Sequence, residues 1–234
     1  MKLILERWRK FQLNEIFNSP LPDDEIDLVP GDSEFSHEWV FYVDDKRYNM
    51  HIGIFPLQKY PDLLEWEVEF SQGGGYEQTN YGIKTAVVVM STVLKILMDW
   101  VPQNRDNFFL ITSTSYDRIR TRLYNRLLED ITKKLGSDYT SATLGGIQCL
   151  INIGLIERKV NKFIEESNFE SARKIVADAL NMLNKDGIKK GEIIQRILEL
   201  FDKVEEAQFG PAETKTDLLK RRRAAYNAGR GKEQ

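Results

Sequence analysis

Cysteine is nearly absent from this chain of 234 residues: Cys149 stands alone, so no disulfide framework can staple the fold. Histidine is almost as scarce, and His37 and His51 do not belong to any Cys/His grouping with the spacing of a zinc site. Neither the first ten residues nor any later stretch reads as an uninterrupted apolar run of the roughly 20 residues that a bilayer span needs. The expectation is therefore a chain with no membrane segment, no secretory leader and no metal, working in a reducing compartment. Internal repeats are absent, as is low-complexity sequence ahead of the tail. What is present is enough apolar sequence, 41%, to bury a substantial core.

Charge is unevenly spread. The formal net charge is -3, yet residues 212–234 hold seven Lys/Arg against three Asp/Glu, which leaves about -7 on the rest. An acidic body with a basic tail follows. Lys220, Arg221, Arg222 and Arg223 in that tail are the candidate contacts for nucleic acid or an acidic partner, because clustered cations gain free energy by displacing counterions from phosphates. A solvated helix end is the structural alternative for the same residues.

Hydrophobic periodicity divides the chain. Residues 1–22 carry Leu3, Leu5, Trp8, Phe11, Leu13 and Phe17 in an approximate helical stripe that closes at Ser19-Pro20-Leu21-Pro22. An acidic segment with Asp23, Asp24, Glu25, Asp27 and Pro30 reads as surface loop. The period then becomes two: Trp39, Phe41 and Val43, a turn at Asp44-Asp45-Lys46, and Tyr48, Met50, Ile52 and Ile54 predict a hairpin. Trp66, Val68 and Phe70 predict a third strand with Glu67 and Glu69 on its other face, ended by Gly73-Gly74-Gly75. Residues 83–100 are apolar on nearly all sides and too long for a strand, which predicts a buried helix stopped by Pro102. Phe108-Phe109-Leu110-Ile111 predicts a strand buried on both faces, and Ser113, Thr114 or Ser115 a cap for a helix carrying Ile119, Leu123, Leu127 and Ile131. Residues 147–153 form a further candidate strand, followed by helices near 155–166, 169–184 and 190–206. The expected layout is an N-terminal helical segment (1–22), an α/β core (36–153), a helical C-terminal region (155–208) that packs on the sheet or on another subunit, and a basic tail (212–234).

The order strand, glycine-rich loop, helix, strand, helix over residues 66–131 resembles the central part of the GNAT acetyltransferase superfamily. The resemblance implies an α+β fold, a mixed and mainly antiparallel sheet flanked by helices. It also implies a pyrophosphate-binding loop at the start of the first helix, where Gly82, Ile83, Lys84 and Thr85 stand, using backbone N–H groups as an anion site for acetyl-CoA. The family's glycine spacing is missing there, since the chain reads Asn80-Tyr81-Gly82-Ile83-Lys84-Thr85-Ala86. In the second helix Asp117 occupies the family's Asn position and Leu123-Tyr124 matches its Leu-Tyr pair, which makes Tyr124 the candidate general acid. The Gly-Phe that follows in the family is Leu128-Glu129 here. Glu67 and Glu69 lie on the strand where the family often places a general base; a solvated strand face is the alternative. Arg118, Arg120, Arg122 and Arg126 suit phosphate, but their spacing prevents all four from sharing one helix face.

Shorter words, Tyr81-Gly82-Ile83, Ser91-Thr92-Val93 and Arg122-Leu123-Tyr124-Asn125-Arg126-Leu127, resemble a domain in uncharacterised proteins of tailed bacteriophages. The opening residues 3–11 are similar to a leader on several phage proteins. This implies a viral protein in the virion or the host cytoplasm, with phage or self subunits as partners. Two expectations result. The preferred one is a virion-associated or assembly protein on a degenerate GNAT-like fold, not an enzyme and without a cofactor. The alternative is an active N-acetyltransferase using acetyl-CoA, and nucleic-acid binding through the tail is an accessory property of either.

Overall fold

The computed structural model describes residues 19–30, 36–54, 60, 62–73, 83–114, 118–144, 147–185 and 191–210, and single positions 216, 217, 219, 220 and 223 of the tail. Seven strands form one mixed sheet: β1 (Ile26–Pro30), β2 (Ser36–Val43), β3 (Lys46–Ile54), β4 (Glu65–Gln72), β5 (Leu110–Thr114), β6 (Tyr139–Leu144) and β7 (Ile147–Asn152). Their spatial order is β1-β2-β3-β4-β5-β7-β6. Every neighbouring pair is antiparallel except β4 with β5. Five helices complete the fold: α1 (Ile83–Gln103), α2 (Arg118–Leu135), α3 (Ile153–Glu165), α4 (Phe169–Lys185) and α5 (Gly191–Phe209). The fold is thus α+β, as the periodicities predict.

The β2–β3 hairpin turns on Asp44 and Asp45, both in the left-handed region with φ of 52° and 58°. That geometry matches the strand twist in a two-residue turn, and aspartate tolerates it better than most residues. Residues 26–30, expected as loop, are instead the edge strand β1, because pairing from Ile26↔Phe41 to Pro30↔His37 satisfies their backbone. The missing N–H of a proline costs little in an edge strand. Strand β6, which the sequence reading passed over, pairs with β7 along its length. Ser113 and Thr114 belong to β5 rather than to a helix cap, and Pro102 lies inside the last turn of α1 instead of following it. The stripe at 1–22 falls outside the described residues as far as Phe17.

Each sheet face has its own core. On the first face Phe41, Tyr48, Met50, Ile52 and Trp66 pack under Val93, Leu97 and Trp100 of α1 and Leu127 and Ile131 of α2. His37 sits in an aromatic box there, its ring 5.9 Å from Trp39, 5.9 Å from Trp66 and 5.8 Å from Trp100. Burial, with a smaller contribution from His51, holds the His37 imidazole below its usual pKa of 6.5. By length and composition α1 passes for a membrane span, with a mean hydropathy of 1.5 over residues 84–103, against the expectation that no run approaches one. Its apolar residues are those of this core. Its buried Ser91 and Thr92 accept hydrogen bonds from the N–H groups of Ser19 and Leu21, at 3.2 and 3.1 Å, and Lys95 pairs with Asp23 at 2.5 Å. Residues 19–23 are thereby strapped across the helix.

On the second face, α3, α4 and α5 cover β5, β7 and β6. Leu110, Cys149 and Ile151 meet Ile156, Val160, Val176, Ile197 and Val204. Asn152 joins strand to helix without a loop: its carboxamide oxygen accepts from the Leu155 N–H at 3.0 Å while its NH2 donates to the carbonyls of Arg105 and Phe108. The C-terminal helices therefore spend their apolar faces on this sheet. The half formed by β2, β3 and β4 lacks such a cover among the described residues, and Glu38, Asn49, His51, Glu67 and Glu69 line it.

Candidate functional site

The parallel β4–β5 pair is the weak seam of the sheet. Only three residue pairs join it, Glu65↔Leu110, Trp66↔Ile111 and Glu67↔Thr112. Past them β4 continues beside β3 as far as Gln72, and β5 stays with β7 as far as Thr114. The two strands thus part company while each remains held on its outer side. The apex is fixed. The Leu64 carbonyl accepts from the N–H groups of Phe109 and Leu110 at 2.9 and 3.3 Å, and the Trp66 indole donates to the Asn107 carbonyl at 3.0 Å.

A pocket opens on the first face beside this gap. Its cavity volume is about 30 Å³. Val68 and Phe70 of β4 form one wall, Thr112 and Ser113 of β5 the other, and Tyr124 and Leu127 of α2 close the end. The lining surface is almost wholly apolar.

Strand alternation sends Glu67 and Glu69 to the opposite face. The carboxyl of Glu67 is held above its ordinary value of 4.5 by burial and then by the like charge of Glu69, with His51 pulling the other way. Tyr124 and Glu67 consequently flank the gap from its two sides rather than sharing one. Among the residues expected to bind a cofactor, Ile83 begins α1, Lys84 is exposed, and the Thr85 hydroxyl donates to the Asp44 carboxylate at the β2–β3 turn. Thr85 is thus engaged with the hairpin. Gly82 and Asp117 lie outside the described residues, as do Arg221 and Arg222 of the tail. Lys220 and Arg223 are exposed, and Lys220 pairs with Asp217 at 3.7 Å. Of the helix arginines, the side chain of Arg126 is described, and it faces Glu129 at 3.6 Å and Asp130 at 3.8 Å. That is the ion-paired surface which its spacing allows.

Sequence reasoning did not single out Ser36, His51 or Gly53. Ser36 Oγ lies 2.8 Å from His51 Nε2, and Glu69 Oε2 lies 4.0 Å from His51 Nδ1. The signal was available: placing Met50 and Ile52 on the covered face puts His51 and Gly53 on the other, the face already assigned to Glu67 and Glu69. Among the described residues, no group of three or more His, Cys, Asp or Glu side chains is placed to hold a metal ion. Comparison of the chain with protein-family models, with curated proteins and with solved structures finds no match.

Proposed function

We propose that this protein is an acyltransferase with a GNAT-like sheet, which takes the acyl group of a coenzyme A thioester into the gap between β4 and β5. The observation that carries the reading is the parting of those strands after three residue pairs, with Tyr124 on the wall of the pocket that opens there. The strand order β1-β2-β3-β4-β5-β7-β6 with its single parallel pair supports the same assignment. The residues present fit the group. A slender chain suits a slot with apolar walls, because the walls bury its methylenes. When bound there, the thioester supplies an activated acyl group.

The chain's own groups then have distinct tasks. Val68, Phe70 and Leu127 exclude water from the reacting end, which strengthens electrostatic interactions inside it. Glu67, whose proton affinity is raised by burial, accepts a proton from the attacking acceptor directly or through one water. Tyr124 would hold a proton on its phenolic oxygen for the leaving group.

The C-terminal helices, expected to pack on the sheet or on another subunit, share a core with the sheet. Titration calorimetry with acetyl-CoA tests the acyltransferase reading. Saturable heat is expected, together with loss of thioester turnover in Tyr124→Phe; an absence of binding at millimolar acetyl-CoA would overturn it.

A further inference from the structure

Ser36, His51 and Glu69 come from three neighbouring strands and meet on the open face of the sheet. Register explains the meeting. His51 stands directly across from Glu69, and Ser36 pairs with Gly53, two residues along β3 on the same face as His51. The imidazole uses its two nitrogens differently: Nε2 lies 2.8 Å from Ser36 Oγ, and Nδ1 lies 4.0 Å from Glu69 Oε2. The Glu69 carboxylate, 4.0 Å from Nδ1 and beyond hydrogen-bond reach, favours by its charge the tautomer with a proton on that nitrogen. That tautomer leaves Nε2 as the acceptor for the Ser36 hydroxyl proton. The order is nucleophile, base and orienting acid, the arrangement by which a weakly nucleophilic hydroxyl is activated.

Gly53 makes the arrangement possible. A Cβ at that position would lie 2.6 Å from His51 Cε1 and 3.2 Å from Nε2, so any larger residue displaces the ring. Only glycine lets the imidazole lie over the neighbouring residue toward Ser36. The approach from solvent is open as well, since the His51 and Glu69 side chains retain 41% and 45% of their exposure. Glu38, directly across β2 from His51, is occupied by the Asn49 amide at 2.7 Å. It therefore adds negative charge near the ring without competing for Nε2.

We propose that Ser36, His51 and Glu69 form a second reactive centre, in which Ser36 is a nucleophile toward activated carboxylic esters. Ser36 Oγ bonds to the acyl carbon, its proton passes to His51 Nε2, and the ester C–O bond breaks as that proton goes to the leaving alcohol. Water then attacks the acyl-serine, gives a proton to His51, and releases the carboxylic acid with Ser36 restored. No coenzyme is needed, so the centre stands or falls independently of the gap between β4 and β5.

The test uses the full chain with a fluorophosphonate probe and, separately, p-nitrophenyl acetate. Intact mass is expected to rise by one phosphonyl group, and peptide mapping to place it on Ser36. His51→Gln should slow labelling by about 10²-fold, the usual worth of a positioned general base. Gly53→Ala, which moves the ring and leaves its chemistry intact, should slow it too. In His51→Gly, added imidazole should restore part of the rate, which a purely structural histidine would not allow. Absence of an adduct on Ser36, or labelling equally fast in folded His51→Gln, would overturn the proposal. Ester turnover that persists in Ser36→Ala would do the same.

Discussion

The two faces of the sheet are made from the same strands and have opposite fates. Trp66 and Glu67 are adjacent in β4, yet one is 2% exposed in an aromatic core and the other looks onto an open polar face. Among the described residues, α1 and α2 cover the first face from β2 to β7, whereas α3, α4 and α5 cover the second over β5, β7 and β6. Stability is thus concentrated on one side and at one end. Chemistry has room where the helices stop.

The largest effect should come from removing the covered face's anchor. Trp66 contacts Trp100 edge-on at 5.0 Å, stacks on His37 and donates to the Asn107 carbonyl. Trp66→Ala should cost about 3–5 kcal/mol in urea unfolding, while Glu67→Ala next to it should not destabilise. Equal losses at both positions would break the comparison. Ile197→Ala, in the helical layer, should cost about 2–5 kcal/mol and shift a single transition, since α3–α5 share a core with β5 and β7. A second, separate transition would show instead that the helical layer folds apart from the sheet.

Tyr124→Phe should leave the unfolding midpoint nearly unchanged and lower thioester turnover by about 10²-fold. Equal turnover in both proteins would confine Tyr124 to packing. The smallest effects are electrostatic and should differ in sign between the faces. His37 has a lowered folded pKa, so the unfolded chain binds its proton more readily. Stability should therefore fall as pH drops below about 6.5, and His37→Phe should blunt that fall. Glu67 has a raised folded pKa, so its ionised form is a cost at neutral pH that is relieved as pH falls through the folded value. Glu67→Gln should raise the midpoint slightly at pH 7, with the gain gone below about 4.5. The exposure of Glu67 keeps this effect small. Midpoints of urea unfolding across that range measure both.

Much of the fold was legible because its signals are local. The alternation in residues 39–54 and 66–70, the length of the apolar run at 83–100 and the three- and four-residue spacing beyond 155 each name their element without reference to the rest of the chain. Strand β1 was not legible, because Asp27 and Pro30 oppose a strand by propensity and only an edge position tolerates them. β6, Tyr-Thr-Ser-Ala-Thr-Leu, has little apolar content of its own and exists through its pairing with β7. In the site, Tyr124 and Glu67 were readable as residue types on named elements. Their placement on opposite sides of one gap was not.

The sequence by itself determined which residues lie on each face of each strand, because a period of two is a property of the backbone alone. It also determined that the chain has an apolar core without disulfides. Only the tertiary structure decided where β4 leaves β5, how far the helices cover the second face, and that Ser36, His51 and Glu69 converge. Those outcomes depend on pairing register and packing between residues distant in sequence, 46 positions apart in the contact of Thr112 with Trp66 at the apex of the gap and 112 in that of Lys174 with Asp62. Local periodicity carries no information about such distances.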